Sequence, residues 1–364
     1  MVLLYALTAV VVINCGYYIL FSKFSFLPSS EIKSENNYPV SLIVCAKNEA
    51  ENLKAHIPLW LGQNHPDFEL ILIDDASIDE TLEVMESFQV DNPKIQIVKV
   101  KNNEAFWGNK KYALTLGLKR AKNQRLLFTD ADCKPASNNW LTTMTAHFSQ
   151  EKQLVLGYGA YQKKDGLLNR LIRFETLMTA LQYFSYAKAN MPYMGVGRNL
   201  SYTANLYYEN KGFMSHIKLP SGDDDLFVNE AATPKNTAIC VAEEAFTYSI
   251  PKKTWKAWWL QKKRHITTAK RYKPLHKFLL GLFYTSNFLF WGLSIFALIF
   301  SSWKIALAII LFRFLFQYII VGKAARKLKE GDLIPFIPIF ELFLVCYQMS
   351  IFISNSTTKQ SRWK

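Results

Sequence analysis

Residues 1–22 carry no charge, and neither do Phe278 to Ser302. A hydrocarbon core of roughly 30 Å is crossed by about 20 apolar residues in a helix, the conformation that satisfies its own backbone there. Both stretches are long enough. Two more apolar segments follow, Ile305 to Val321 interrupted by Arg313 alone and Leu333 to Ser354 interrupted by Glu341 alone. The expectation is an N-terminal transmembrane anchor over 1–22 and two to three membrane helices within 277–355. The first segment lacks the basic n-region and Ala-x-Ala-like cleavage site of a secretory leader, so an uncleaved anchor is expected.

Lysine and arginine crowd three flanks: Lys23 and Lys33, Lys252 to Lys277, and Lys323 to Lys329. Basic flanks stay on the cytoplasmic side. This predicts a multi-pass protein of the cell (inner) membrane with the N-terminus outside and the middle of the chain cytoplasmic. Four spans leave the basic tail 356–364 outside, and Pro335 and Pro338 make a re-entrant last segment the alternative. The net charge of +14 is read as attraction to anionic headgroups, with no nucleic-acid partner expected. Five scattered cysteines without a C-x-x-C pair point to a reducing compartment, with neither a disulfide framework nor a zinc site. Counted from the cytoplasmic ends of their segments, Arg313 and Glu341 reach nearly equal depth, where charges are costly unless paired. An interhelical ion pair is expected, with contact to a lipid phosphate as the competing use of Arg313.

Between the spans, Ser41 to Ala46, Phe68 to Asp74, Ile95 to Val100 and Arg125 to Asp130 are short runs rich in Ile, Leu, Val and Phe, separated by helical patterns. Strands alternating with helices predict an α/β fold with a mostly parallel sheet and helices on both faces. Ligands of such sheets sit at the carboxyl ends of the strands. Those ends are polar: Lys47-Asn48-Glu49, Asp74-Asp75, and Asp130-Ala131-Asp132. Alternate residues of a strand point the same way, so Asp130 and Asp132 can converge on one divalent cation.

Val40 to Glu49, Leu72 to Asp79, Gly108 to Leu114 and Thr129 to Asp132 together resemble the ordered motifs of family 2 glycosyltransferases with the GT-A nucleotide-diphospho-sugar transferase fold. The resemblance implies a cytoplasmic GT-A catalytic domain over 38–250 and an inverting, metal-dependent enzyme. It implies that Ala46, Glu49, Asp75 and Lys110 line a nucleotide-sugar pocket. Asp132 would bind Mg²⁺ or Mn²⁺, with Asp130 on the donor or the ion. Physical chemistry asks for the same parts, because a cation and a lysine stabilise the charge that develops on a departing diphosphate.

Ser221-Gly-Asp-Asp-Asp-Leu226 resembles the family's T-E-D-x-D-L segment, which puts Asp223 at the general-base position with Asp224 as the alternative; Gly222 stands where the family has Glu. Residues 251–276 read as a basic amphipathic interfacial helix. Its tryptophan side, Trp255, Trp258 and Trp259, suits the headgroup region. Its other side, Gln261, Arg264 and His265, resembles the family's Q-x-x-R-W motif with His265 in place of Trp, and implies a substrate-binding role. The acceptor implied by spans and tryptophans is a lipid or lipid-linked saccharide. The rival readings are a processive polysaccharide synthase of the same family and a non-catalytic membrane scaffold with a degenerate nucleotide-sugar fold.

Overall fold

The computed structural model describes residues 1–28, 38–101, 110–219 and 221–357. Gly108 and Asn109, quoted above, and the tail from residue 358 lie outside the described residues. The first part of the chain forms α1 (Val2–Ser25), β1 (Val40–Ala46), α2 (Ala50–Leu61), β2 (Phe68–Asp74), α3 (Thr81–Asp91), β3 (Ile95–Lys99), α4 (Lys110–Arg120) and β4 (Arg125–Asp130). Next come β5 (Cys133–Pro135), α5 (Trp140–Thr145), β6 (Leu154–Leu156), β7 (Gly159–Tyr161), α6 (Leu167–Lys188), β8 (Leu200–Thr203), α7 (Ala204–Glu209) and α8 (Asp225–Ala231). The last are β9 (Thr237–Ile239), β10 (Thr247–Ser249), α9 (Trp255–Ala269), α10 (Pro274–Phe300), α11 (Trp303–Lys327) and α12 (Ile337–Thr357). These elements group into a sheet unit, Ser29–Gln162 with Asn190–Lys252, and a helical unit, Met1–Pro28 with Lys163–Ala189 and Lys253–Gln360.

In the sheet unit, seven strands run in the order β3-β2-β1-β4-β8-β6-β9, and β5-β10-β7 form a smaller sheet. The central strands read as near-continuous apolar runs, interrupted by Ser41 and Glu69, because both faces are covered. Val40, Leu42 and Val44 share one core with Leu53, Ile57 and Trp60 of α2. The alternate residues Ile43 and Ile73 face α4, which approaches so closely that a Cβ on Gly117 would lie 2.3 Å from Ile73 Cδ1. β1 pairs in parallel with β2 (Ala46 opposite Asp74) and with β4 (Cys45 opposite Asp130). That register brings the polar ends of three strands to one edge. β4 pairs antiparallel with β8, Phe128 opposite Leu200, so the Arg198-Asn199 turn before β8 arrives at the same edge.

In the helical unit, four stretches are long and apolar enough to cross a membrane: Val2–Ser25, Pro274–Phe300, Trp303–Lys327 and Gly331–Ser354. Pro335 falls in the 3₁₀ turn Gly331–Phe336 and Pro338 in the first turn of α12, where proline is tolerated, and α12 then runs unbroken to Thr357. The expected ion pair forms, with Arg313 Nη2 donating to Glu341 Oε1 at 2.7 Å. Arg313 also donates to Asn14 Oδ1 (3.0 Å), Asn287 Oδ1 (2.7 Å) and Gln317 Oε1 (3.0 Å), so its donors are spread over three other helices as well as its own. The guanidinium is fully enclosed, which leaves no room for the competing lipid-phosphate contact.

Two features add to the expectation. The tryptophan side of α9 is divided: Trp255 is exposed, whereas Trp258 is fully buried, stacked 4.3 Å from the Tyr347 ring of α12, with Trp259 edge-on to the same ring. Packing onto an apolar neighbour uses the same surface that a headgroup would, and the wheel alone does not distinguish them. The chain also returns to the helical unit as α6, inside the 38–250 range expected for one domain. There Arg173 is buried and donates to Glu330 (2.8 Å from Nε) and to both oxygens of Asp332 (2.6 and 2.7 Å), and Lys262 of α9 pairs with Glu175.

Candidate active site

The loops after β1 and β2 are stitched together by the backbone. Asp75 N–H donates to Ala46 O at 2.9 Å, Ile78 N–H to Asn48 Oδ1 at 2.9 Å, and Glu49 N–H to Thr81 Oγ1 at 2.8 Å. Asn48 and Ala76 both sit in the left-handed region, at φ +57° and +52°. Asparagine adopts it readily, whereas for alanine it costs on the order of 1–3 kcal/mol, strain of a kind that clusters at functional sites. The result holds Ala46, Glu49 and Asp75 in one wall. Burial pushes the Asp75 carboxyl above the usual range, against the pull of Lys47 at 3.9 Å. Burial also raises Glu49, assisted by Asp132 and Asp130.

Lys110, the first residue of α4, joins two carboxylates from distant parts of the sequence. Its Nζ lies 2.7 Å from Asp130 Oδ1 and 3.1 Å from Asp223 Oδ2. Burial opposes the ammonium, yet Asp130 and Asp223 hold its pKa well above the ordinary lysine value. A small pocket there is lined by Lys110, Asp130, Asp223 and Asp224, with Leu114 and Tyr202 among its apolar walls.

Asp223 and Asp224 enter α8 from Gly222, whose φ is +101°. A Cβ there would lie 2.5 Å from Leu226 Cδ1. Only glycine accepts that turn without strain, which explains why no Glu stands at this position. Burial alone would raise Asp223, but Lys110 and then Lys111 hold its carboxyl below the usual range. Asp224 instead accepts the Gly197 and Asp225 amides, each at 2.7 Å. Burial and the charges of Asp223 and Asp225 push it up to about 7.

Asp130, Asp132 and Cys133 offer ligand atoms within 4.8 Å of one another. Hard divalent cations choose oxygen, and burial keeps Cys133 a thiol with its Sγ 2.9 Å from Ser249 Oγ. The two carboxylates fit an ion better than the thiol does. Burial and the neighbouring Asp130 raise Asp132, a strain that a bound cation would relieve.

The chain is similar to known proteins in sequence and in fold. Residues 41–204 match the model described as Glycosyl transferase family 2. Over those residues the chain is similar to that family. Among curated relatives it is 34% identical over 119 residues (32% of this chain, 29% of the relative) to an uncharacterized glycosyltransferase of Bacillus subtilis. It is 35% identical over 97 residues (27% and 26%) to the cholesterol galactosyltransferase of Borreliella burgdorferi. It is 27% identical over 125 residues (34% and 45%) to an Escherichia coli UDP-Glc:α-D-GlcNAc-diphosphoundecaprenol β-1,3-glucosyltransferase. The matches span less than half the length of these relatives. The fold is shared with a mannosyltransferase of Pyrobaculum calidifontis solved with GDP-mannose and Mn²⁺, at TM-score 0.63, 17% identity and 99% coverage of both chains.

The sheet unit gathers Ala46, Glu49, Asp75, Lys110, Asp130, Asp132, Asp223 and Asp224. Gln261, Arg264 and His265 lie on α9, in the helical unit. One residue was missed. Arg198 stacks its guanidinium 4.3 Å from the Tyr161 ring centroid and donates to Ala160 O (3.3 Å) and Ser249 Oγ (3.4 Å), and the Asp130 and Asp132 charges contribute to holding its pKa above the ordinary value although burial opposes it. It lies in the Gly195-Val-Gly-Arg-Asn-Leu200 run, where the glycines suggest close ligand approach and draw attention from the cation between them.

Proposed function

We propose that this protein is a membrane-bound, inverting glycosyltransferase that moves a sugar from a nucleotide-diphosphate donor to a lipid or lipid-linked acceptor at the cytoplasmic face. The observation that carries the reading is Lys110 between Asp130 and Asp223, 2.7 and 3.1 Å away, which joins a donor-phosphate carboxylate to an acceptor-side carboxylate. Ala46, Glu49 and Asp75 hold the nucleotide. Asp132, with Asp130, would hold Mg²⁺ or Mn²⁺, which when bound supplies positive charge to the departing diphosphate. Lys110 adds charge at the same place and fixes the Asp223 carboxylate. Asp223 takes the proton of the acceptor hydroxyl as that oxygen attacks the anomeric carbon. The bond to the nucleotide diphosphate breaks on the opposite face. On the family resemblance, Gln261, Arg264 and His265 are donor-binding positions, Arg264 by bidentate bonds to phosphate.

A lipid acceptor is supported by the four apolar helices and by relatives whose names specify cholesterol and diphosphoundecaprenol. The donor nucleotide is UDP on the family resemblance and on a relative named for UDP-Glc, with GDP the alternative. The test is transfer of radiolabelled sugar from UDP- and GDP-sugars into membrane lipids. Label in the organic phase supports this reading, label in a growing water-soluble polymer supports a synthase, and no label with any donor rejects both.

A further inference from the structure

Lys111, the neighbour of Lys110, has no part in the mechanism above. Its side chain is buried, 1% exposed, at the start of α4. A cation in the first turn of a helix opposes the macrodipole, and a buried ammonium is costly unless its donors are satisfied. The first rule is broken at this residue, and the described first turn of α4 has no acidic residue to offset it. Its partners explain why. Nζ donates to Leu219 O at 2.6 Å and to Ser221 O at 2.7 Å, carbonyls of the segment that leads into Gly222 and the Asp223-Asp224 pair.

We propose that Lys111 is a positioning residue that holds the segment before Gly222 so that Asp223 stands against Lys110. The inference rests on the transferase reading. Consecutive residues of one helix divide the work: Lys110 binds the side-chain carboxylates, and Lys111 binds the backbone that delivers one of them. Without the two carbonyl bonds, the left-handed turn at Gly222 has less to oppose its relaxation, and Asp223 moves relative to the acceptor. A displacement of about 1 Å costs on the order of 10²-fold in rate.

Lys111 also carries charge into an acidic neighbourhood. Asp223, Asp224 and Asp225 at the start of α8 face it, with His216 of the preceding turn and Lys110 on its own helix. His216 is itself paired with Glu230 at 3.4 Å. Removing the Lys111 charge therefore raises the carboxylate pKa values, whereas a filler of space would leave them unchanged.

The experiment compares full-length wild type, Lys111→Met, Lys111→Gln and Lys111→Arg in detergent with Mn²⁺, after melting curves establish which variants fold. Nucleotide release is followed against pH with UDP-glucose and GDP-mannose, UDP and GDP binding is measured by calorimetry, and hydrogen exchange is followed over residues 213–226. Lys111→Met or Lys111→Gln should lose about 10²-fold in kcat with nucleotide affinity kept within about 3-fold. The acid limb should move to higher pH and exchange over 213–226 should quicken. Lys111→Arg, which keeps the charge, should keep the limb. A neutral variant with wild-type kcat, limb and exchange overturns the proposal, as does a loss accounted for by weaker nucleotide binding. Wild type that neither releases nor binds nucleotide defeats the transferase reading, and the proposal with it.

Discussion

Asp223 and Asp224 are chain neighbours whose carboxyls meet opposite partners: Asp223 Oδ2 lies 3.1 Å from Lys110 Nζ, and Asp224 Oδ2 accepts the Gly197 amide at 2.7 Å. The first is held ionised and the second is pushed up to about 7, a separation that assigns different roles to adjacent groups. With Asp223 as base, Asp223→Asn lowers kcat by about 10²–10⁴-fold, whereas Asp224→Asn, which keeps the amide acceptor, costs under about 10-fold. The reverse order of losses moves the base to Asp224.

The same raised group makes stability depend on pH. The unfolded Asp224 titrates near the ordinary value of about 3.9. Its folded pKa is higher, so its contribution to stability is full below the unfolded value and is lost as pH rises through about 7. Asparagine is neutral throughout. The melting temperature of Asp224→Asn relative to wild type should therefore climb between about pH 5 and pH 8, and a constant difference would show that Asp224 is not the group responsible.

Arg313 and Glu341 form the buried pair at the centre of the helical unit. Arg313→Met leaves Glu341, which keeps its bonds from Gln317 and Tyr18, without its counter-charge and takes a donor from three amide oxygens, and Glu341→Gln leaves a buried guanidinium without its counter-charge. Each should cost about 3–5 kcal/mol. Combining Arg313→Met with Glu341→Met removes both charges and should regain part of that loss. Denaturation in mild detergent measures it, and additive losses in the double variant would show that the two charges do not act as a pair.

Gly222 carries the turn into the acidic pair at φ +101°, with no room for a Cβ beside Leu226. Gly222→Ala should cost about 1–3 kcal/mol and lower kcat with little change in nucleotide binding. Unchanged melting and turnover would mean that the turn is not held in this form.

The sequence exposes this site where strand chemistry is simple. β1, β2 and β4 are apolar runs that stop at charged residues, and a parallel register aligns their ends, so Glu49, Asp75, Asp130 and Asp132 can be read in advance. The Arg313–Glu341 pair follows from counting depth along two helices. α6 is harder, because Arg170, Arg173 and Glu175 hide its packing among apolar helices. β5 to β7, β9 and β10 have three residues each, too few for a periodicity. Lys111 has no signal at all, since its partners are backbone carbonyls more than a hundred residues away.

We propose that Lys110, Asp130, Asp132 and Asp223 form one metal-assisted transfer site. The most direct test is nucleotide release by the purified full-length protein, with native membrane lipids and a panel of UDP- and GDP-sugars, before and after chelation and in Asp223→Asn. Release that stops on chelation, returns with Mn²⁺ or Mg²⁺ and collapses in Asp223→Asn is the predicted result. Release indifferent to both chelation and the substitution, or none from any donor together with no donor binding, contradicts the account.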